Sequence, residues 1–202
     1  QQQLVPPLAA YLRENPGVSV EWLLHDTPGD FIARGIDCAI QVGTVDDEGL
    51  VAIRLWDVPR IVVAAPALAA SLVASAEPEA LAQLPWLALR TYYRQVVELQ
   101  HARDGHTRRI AIQPRLATDS LYALRSAALL GLGVGIVSAW VVAEDIAEGR
   151  LVQLAPDWCA NPLPAWLLYP HARFYPARLR SFVEVMRRAM PQGAADRPVG
   201  RP

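Results

Sequence analysis

A Thr-Asp-Ser run at residues 118 to 120 lies where a strand pattern ends and a helix pattern begins. The first N–H groups of a helix have no partner within the helix, and the helix dipole places partial positive charge there. The run could therefore bind an anion such as a carboxylate. A plain N-cap by Thr118 or Asp119 is an equally good explanation. Because Asp119 is itself negative, an anion would have to use the remaining N–H groups and the hydroxyls of Thr118 or Ser120.

A second group of candidates surrounds Gln41, which is followed by Val42 and Gly43 at the end of a short apolar strand pattern. A buried glutamine needs hydrogen-bond partners, and either a ligand or the backbone can provide them. Gly43 suits a tight turn. The pattern leaves both interpretations of Gln41 open.

The remaining candidates also lie beside predicted strands, because ligands of open α/β sheets bind beyond the strand ends. Arg90 and Thr91 follow one strand, and an arginine can bind a carboxylate through two hydrogen bonds, although an arginine at a strand end is usually solvated. Ser138 is more simply explained as a helix cap than as a ligand contact. The other candidate ligand-binding residues are His25, Asp26 and Pro66.

Residue types that support catalysis or metal binding are missing from the pattern. No Gly-x-Ser-x-Gly elbow and no local serine, histidine and aspartate set occurs. All 19 basic residues are arginine, which excludes lysine Schiff bases and a P-loop lysine. The four histidines do not repeat at metal-ligand spacing on one predicted element. We therefore expect no catalytic residues, no metal, no cofactor and no enzyme activity.

Gly131, Gly133 and Gly135 form a glycine-rich run that superficially matches a dinucleotide-binding fingerprint. The run lies between a predicted helix and the strand after it. A dinucleotide site needs the reverse order, in which a strand leads into the N-terminus of a helix. The run therefore predicts a helix end followed by a tight connection.

Composition describes a folded chain: of its 202 residues, 52% are hydrophobic and 19% are charged. The net charge of −1 leaves no basic field for binding nucleic acid, so DNA binding by these residues alone is disfavoured. Cys38 and Cys159 lie far apart in apolar surroundings and indicate no disulfide framework. We expect a reducing compartment, the cytoplasm, and no membrane span, because glycines interrupt the longest uncharged stretch.

The elements that must position these residues alternate between strands and helices, which predicts an α/β sheet with crossover helices. Residues 90–109 are the least apolar part and are predicted to be a solvated loop and a surface helix. Residues 157–164 are predicted to be a proline-bearing connection, and 191–202 a frayed tail. Strands are predicted at 18–24, 38–42, 53–56, 60–65, 86–89, 110–116, 134–137 and 151–154, and helices at 4–12, 29–34, from 67, 78–84, 119–130, 138–147 and from 176.

Four segments, taken in order, resemble the effector-binding domain of LysR-type transcriptional regulators. They are DFIARGIDCAIQVG at 30–43, VVAAPAL at 62–68, LATDSLYALRSAALLGLGVGIVSAWVVAEDIAEGRLVQL at 116–154 and LLYPHARFYPARLRSFVEVM at 167–186. Each motif is loose, but their order is specific, and the likeness extends from Leu4 to about Met190.

The resemblance implies a fold similar to type 2 periplasmic binding proteins, in which two Rossmann-like α/β lobes are joined by two crossover strands. Lobe I would comprise 1–64 and 168–190, lobe II 65–167, and the tail 191–202. The crossovers would lie near 60–66 and 166–170, where an apolar run meets a proline in each case. The family's first strand of lobe I, its winged helix-turn-helix and its linker helix do not occur in these residues.

The resemblance also implies a function. A small anionic or aromatic metabolite would bind in the cleft between the lobes and alter transcription through the oligomer, with the loop at 118–120 and Gln41 among its contacts. The domain would form homodimers, and the full-length regulator tetramers, binding DNA only through the N-terminal domain. Two alternatives stay open: a periplasmic solute-binding protein of similar fold, and an enzyme on the same scaffold. A helix-turn-helix or a signal peptide at the start of the gene would separate the first two.

Overall fold

The computed structural model describes residues 4–24, 34–70 and 77–189. The chain divides into two compact units, the first comprising Gln1–Asp57 and Leu163–Pro202, the second Val58–Pro162. Two long strands, β2 (Leu50–Ala64) and β9 (Trp158–Pro170), run from one unit into the other. The divisions lie a few residues before the 64/65 and 167/168 boundaries that the resemblance implies. The predicted helix at 29–34 and the tail at 191–202 lie outside the described residues, apart from Arg34.

The first unit packs two helices on a small antiparallel sheet. Strand β1 (Ala39–Val42) pairs antiparallel with β9, with Ala39 opposite Leu168 and Val42 opposite Ala165. The core includes Leu55, Leu167 and Met186. The two helices are α1 (Val5–Glu14) and α5 (Ala177–Ala189).

Residues 18–24 do not form the strand that their apolar alternation predicted. Val20, Trp22 and Leu24 are exposed, Leu24 to 59%. A strand needs a hydrogen-bonded neighbour as well as an alternating pattern, and this segment has no strand partner among the described residues. The prediction was wrong because the pattern reports which face is apolar but not which strand lies beside it.

The second unit contains a mixed sheet with helices. The elements of this unit, besides parts of β2 and β9, are α2 (Pro66–Ala69), a 3₁₀ helix (Pro78–Gln83), β3 (Trp86–Leu89), β4 (Val96–His101), β5 (Thr107–Ala111), β6 (Pro114–Thr118), α3 (Leu121–Leu129), β7 (Val134–Ser138), α4 (Ala139–Ala147) and β8 (Val152–Leu154). Strand β3 lies between β6 and β7 and runs parallel to both, whereas β2 runs antiparallel to β7 and β8.

Alternate residues of the central strands enter two different cores, as the two-residue period of a strand requires. Val62 and Trp86 pack on one side of the sheet. Val63 and Leu87 pack on the other, with Leu124 of α3. This two-sided burial explains the continuous apolar runs in these strands.

Residues 90–109 contain an antiparallel hairpin rather than the predicted loop and surface helix. Strands β4 and β5 pair with Glu98 opposite Arg109. Val97 and Leu99 are buried and alternate with the exposed Val96 and Glu98. The number of charged residues concealed this two-residue period, because the outward face of an edge hairpin can be fully polar.

Of the predicted connection at 157–164, residues 158–164 belong to β9 and are not a loop, whereas Asp157 lies in the turn before the strand. Pro162 and Pro164 lack the N–H that a strand interior donates. They fall between the part of β9 that pairs with β4, which ends at Ala160, and the part that pairs with β1, which begins at Ala165. The strand therefore continues through the two prolines and keeps its hydrogen bonds to β4 and to β1. The predicted strand at 110–116 is likewise divided, into the end of β5 and the start of β6.

The glycine run is explained by steric demands, which confirms the predicted helix end and tight connection. Gly131 follows α3 with φ +70°, and its N–H donates to the Ala128 carbonyl. A Cβ on Gly133 would lie 2.5 Å from the Pro85 carbonyl oxygen, and one on Gly135 would lie 2.7 Å from Leu124. The second and third glycines allow close packing of the elements around β7.

A buried carboxylate joins α3 to α4. Asp145 is fully buried and accepts hydrogen bonds from Arg125 Nε at 2.5 Å and Arg125 Nη2 at 2.7 Å. Arg150 adds two more, from Nε at 3.0 Å and Nη2 at 2.7 Å. Two forked guanidiniums therefore satisfy one carboxylate.

Candidate ligand-binding site

The carboxyl ends of three parallel strands meet at one edge of the second unit, in the order β7, β3, β6. Ser138 ends β7, Arg90 follows β3 and Thr118 ends β6. The Arg90 N–H donates to the Thr118 carbonyl at 2.8 Å and ties two of these loops together. Helices α3 and α4 begin at this edge, so their free N–H groups and positive dipole ends lie there.

The loop at 118–120 is capped differently from the prediction. Ser120, rather than Thr118 or Asp119, is the N-cap of α3, and its hydroxyl accepts from the Ala123 N–H at 3.5 Å. The Thr118 hydroxyl accepts from the Ser120 N–H at 3.1 Å. Asp119 is exposed and does not cap the helix. Its negative charge is therefore not bonded to the helix start.

Ser138 occupies the N-cap position of α4 by its backbone, but its side chain makes no capping hydrogen bond. The residue is only 8% exposed. The expected side-chain cap is therefore wrong. The hydroxyl remains available to another partner at the strand edge.

Arg60 lies directly opposite Ser138 in the β2–β7 pair, so the two side chains share one face of the sheet. The arginine is 8% exposed. Its Nε donates to the Asn161 carbonyl at 2.8 Å, and Nη2 donates to the same oxygen. Its Nη1 and the nearby Tyr93 hydroxyl are both buried, and neither makes a hydrogen bond of normal geometry among the described residues.

Two tyrosines flank this guanidinium. The Arg60 Cζ lies 5.3 Å from the ring centroids of both Tyr92 and Tyr93, a cation–π arrangement. Burial raises the pKa of Tyr93 to about 12, against the opposing effect of the Arg60 charge. Burial likewise raises the pKa of Tyr92. Both phenols are therefore neutral near pH 7 and leave the arginine charge uncompensated.

Arg60 was missed as a candidate because it lies inside the apolar run at 60–65. A strand buried on both faces accommodates a charge only at a cost, unless the charge is paired. In the part of the chain that the structure describes, no carboxylate forms an ion pair with Arg60. An arginine in a run predicted to be buried was the available signal.

In the first unit, the predicted tight turn forms at Gly43, which has φ +107°. Its N–H donates to the Pro164 carbonyl at 2.9 Å, and its carbonyl accepts from Trp166 Nε1 at 2.8 Å. The Gln41 amide nitrogen donates to the Thr44 carbonyl at 2.7 Å. The backbone is thus one partner of Gln41, and Val42 beside it is partly exposed.

Pro66 is not brought near the other second-unit candidates. Because β2 is antiparallel to β7, the residues after Ala64 lie at the edge where β7 begins, whereas Ser138 ends β7. Thr91 is exposed beside Arg90. His25 and Asp26 lie outside the described residues.

Three side chains that could hold a metal converge in the turn between β4 and β5, although the histidine spacing did not indicate them. They are His101, Asp104 and His106, whose potential ligand atoms all lie within 4.8 Å of one another. The hydrogen bond from His106 is the main reason that the pKa of Asp104 falls to about 2.

A family model described as the LysR substrate binding domain matches residues 1–191. The chain belongs to the LysR substrate-binding domain family. This LysR-family domain is 35% identical over 182 residues to the HTH-type transcriptional regulator PtxR of Pseudomonas aeruginosa, a match covering 89% of the chain and 57% of PtxR. The chain thus spans a little over half of that relative.

Solved structures of LysR-type regulators confirm the fold. The regulatory domain of CrgA from Neisseria meningitidis matches with a TM-score of 0.73 and 26% identity, covering 94% of this chain and 93% of that one. The full-length Vibrio cholerae virulence activator AphB matches with a TM-score of 0.76 and 24% identity, covering 93% and 64%. The LysR-family domain therefore has the α/β fold of type 2 periplasmic binding proteins that the resemblance implied.

No helix in the described ranges of this LysR-family domain has both the length and the apolar character that a membrane crossing requires.

Proposed function

We propose that this effector-binding domain senses a small organic carboxylate, and that Arg60 at the carboxyl edge of the second unit is its main anchor. The observation that carries the proposal is the buried Nη1 of Arg60, which makes no hydrogen bond of normal geometry in the described part of the chain. A buried guanidinium without a counter-charge is costly, and a ligand carboxylate supplies both the charge and the acceptor.

Groups beside Arg60 and along the same edge of the sheet define the ligand further. Ser138 offers a hydroxyl on the same face of the sheet, and the starts of α3 and α4 offer N–H donors. Tyr92 and Tyr93 place aromatic rings against the guanidinium. A carboxylate attached to an aromatic or apolar body fits this combination, as the resemblance implied. Because Nη1 is closed to solvent, binding requires a shift of Arg60 or of the tyrosines.

The ligand would act by shifting populations of conformations of the regulator. The resemblance implies that it also reaches the turn at Gln41 in the first unit. We further propose that DNA is bound by a separate domain of the regulator and that the protein acts in the cytoplasm. The named relative PtxR is a transcriptional regulator, which supports this role over that of an exported solute-binding protein.

A thermal-shift screen of small carboxylates and amino acids is expected to find a ligand that raises the melting temperature, because it binds the folded state. Calorimetric titration of that ligand should give a dissociation constant about tenfold to a hundredfold weaker in Arg60→Gln, through loss of a charge-assisted hydrogen bond. Thr118→Val and Gln41→Leu test the other proposed contacts.

Arg109→Gln is the matched control, because Arg109 is an exposed arginine of the same unit. The affinity of the Arg109→Gln variant for the carboxylate ligand should equal that of the wild type. Unchanged affinity in Arg60→Gln, Thr118→Val and Gln41→Leu alike would reject the site.

We also propose that the domain forms a homodimer, with the full-length regulator a tetramer, through first-unit surface on one protomer and second-unit surface on its partner. Exposed apolar residues occur in both units: the segment 18–24 contains Trp22, and Leu130 after α3 is 76% exposed. Sedimentation should show a dimer that Trp22→Ser and Leu130→Ser each weaken. Arg109→Gln, at an exposed charged residue, serves as the control. A monomer at high concentration would contradict the proposal.

A further inference from the structure

The turn between β4 and β5 brings two imidazoles onto one carboxylate oxygen. His101 Nδ1 lies 2.9 Å from Asp104 Oδ1, and His106 Nδ1 lies 2.5 Å from the same atom. The three residues come from the end of β4, the turn and the residue just before β5. Their convergence follows from the hairpin, because residues 101 and 106 face each other across the turn.

The backbone holds this arrangement in place. The His101 N–H donates to the His106 carbonyl at 2.9 Å, and the Gly105 N–H donates to the His101 carbonyl at 3.0 Å. Gly105 has φ +73°, a conformation that glycine adopts without strain. His101 is also paired with Trp158 across the β4–β9 ladder. The positions of both histidines are therefore fixed before any ligand binds.

Trp158 restrains the two imidazole rings from the side. Its ring centroid lies 5.1 Å from that of His101 and 4.8 Å from that of His106, the second contact being edge to face. The two imidazoles lie 5.0 Å apart. Rings held in this way lose little further freedom on binding an ion, which favours affinity.

We propose that His101, Asp104 and His106 form a binding site for a divalent transition-metal ion of the zinc class. Two imidazole nitrogens and one carboxylate oxygen are a recognised donor set for zinc, nickel and copper, with water completing the coordination. Calcium and magnesium prefer oxygen ligands and are not favoured. This site is independent of the carboxylate site at Arg60.

The dimensions suit such an ion. Ligand atoms around a tetrahedral zinc, with bonds of about 2.0–2.1 Å, lie about 3.3 Å apart. The two histidine Nδ1 atoms are closer than that to Asp104 Oδ1, at 2.9 and 2.5 Å, and the potential ligand atoms of the three residues all lie within 4.8 Å of one another. Asp104 Oδ1 also accepts from the His106 backbone N–H at 3.2 Å, so a bound ion would replace hydrogen bonds that now hold the turn.

The charges around the turn are mixed, because the exposed Arg103 precedes Asp104 in the turn. The carboxylate supplies one negative charge between two imidazoles that bind metal in their neutral form. Arg108 lies over the Trp158 ring, 6.0 Å from its centroid, and its Nε is 3.3 Å from Glu79 Oε1. The positive charge of Arg108, which lies against Trp158, is thus paired with the carboxylate of Glu79.

Calorimetric titration of the tag-free protein with zinc chloride tests the proposal. We expect one site per chain and a rise in melting temperature of about 5–10 °C at a hundredfold excess of free zinc over the dissociation constant. Cobalt(II) added in place of zinc should give the visible absorption bands of a low-coordinate complex with nitrogen and oxygen ligands.

His106→Gln and Asp104→Asn are each expected to weaken zinc binding at least tenfold, because even an outer-shell change costs that much. His171→Gln is the matched control, since His171 is exposed and lies outside the turn. Circular dichroism verifies the fold of each variant. The proposal is overturned if the wild type binds no zinc, if it gives no cobalt spectrum, or if His171→Gln abolishes binding. In those cases the two imidazole hydrogen bonds to Asp104 only fasten the turn.

Discussion

Replacing Asp145 by alanine is expected to lower the free energy of unfolding by about 3 kcal/mol. Removing one member of a buried ionic group costs about 3–5 kcal/mol, because the remaining charges lose their partner. Arg125 and Arg150 are 27% and 46% exposed, so water recovers part of this loss and places the effect at the lower end. Urea unfolding at pH 7 measures it directly.

Glu148→Ala provides the comparison for Asp145→Ala. Glu148 also pairs with Arg150, but both side chains are about half exposed, and such a pair contributes about 0–1 kcal/mol. Equal losses in the two variants would show that the buried carboxylate does not stabilise the helix pair.

The same carboxylate predicts a dependence on pH. Burial alone would raise the pKa of Asp145, but the hydrogen bonds from Arg125 and then Arg150 outweigh burial and hold it below its ordinary value. A carboxyl whose pKa is depressed in the folded state stabilises the protein above its unfolded pKa, near 4, and loses that contribution as pH falls through the folded value. The difference between wild type and Asp145→Ala should therefore shrink as the pH falls below about 4. A difference that grows as the pH falls below about 4 would contradict this assignment.

Gly133→Ala is expected to cost about 3 kcal/mol, at the upper end of the usual penalty for overpacking. The new Cβ would lie 2.5 Å from the Pro85 carbonyl oxygen and 3.0 Å from Leu87 Cγ. That carbonyl accepts from the Val134 N–H at 2.8 Å, so the clash would disturb the start of the β3–β7 pair. Chemical denaturation measures the loss.

Gly17→Ala is the control for this substitution. Gly17 follows α1, where a Cβ would meet nothing within 4 Å, and its φ is not positive. The free energy of unfolding of Gly17→Ala should differ from that of the wild type by less than about 1 kcal/mol. Alanine also reduces the conformational entropy of the unfolded chain, which opposes any loss in the folded state. A fully stable Gly133→Ala would mean that the connection before β7 can move aside.

The buried central strands and the helices beside them could be predicted from the sequence, because their patterns are local. The apolar run before Pro66 and the helix that ends before Gly131 are examples. Two other elements could not. The β4–β5 hairpin is concealed by its charged outer face, and β9 by Pro162 and Pro164, which interrupt the pattern but not the ladder.

The same limits explain what was missed in the sites. The strand edge at Thr118 and Ser138 follows from strand ends, which can be read locally. Arg60 becomes notable only once β2 is known to lie antiparallel to β7 and to place it opposite Ser138. The pair His101 and His106 meets only across a hairpin turn, so its discovery depended on an element that the pattern did not reveal.

The second unit is a single stretch of chain, Val58–Pro162, whereas the first is assembled from both ends. A ribosome delivers the polypeptide from its N-terminus, and domains generally fold as units as they emerge. All residues of the second unit are available once Pro162 has left the exit tunnel. The first unit is complete only after its last strand and α5 have been synthesised, so the unit that begins earlier in this stretch of chain is finished later.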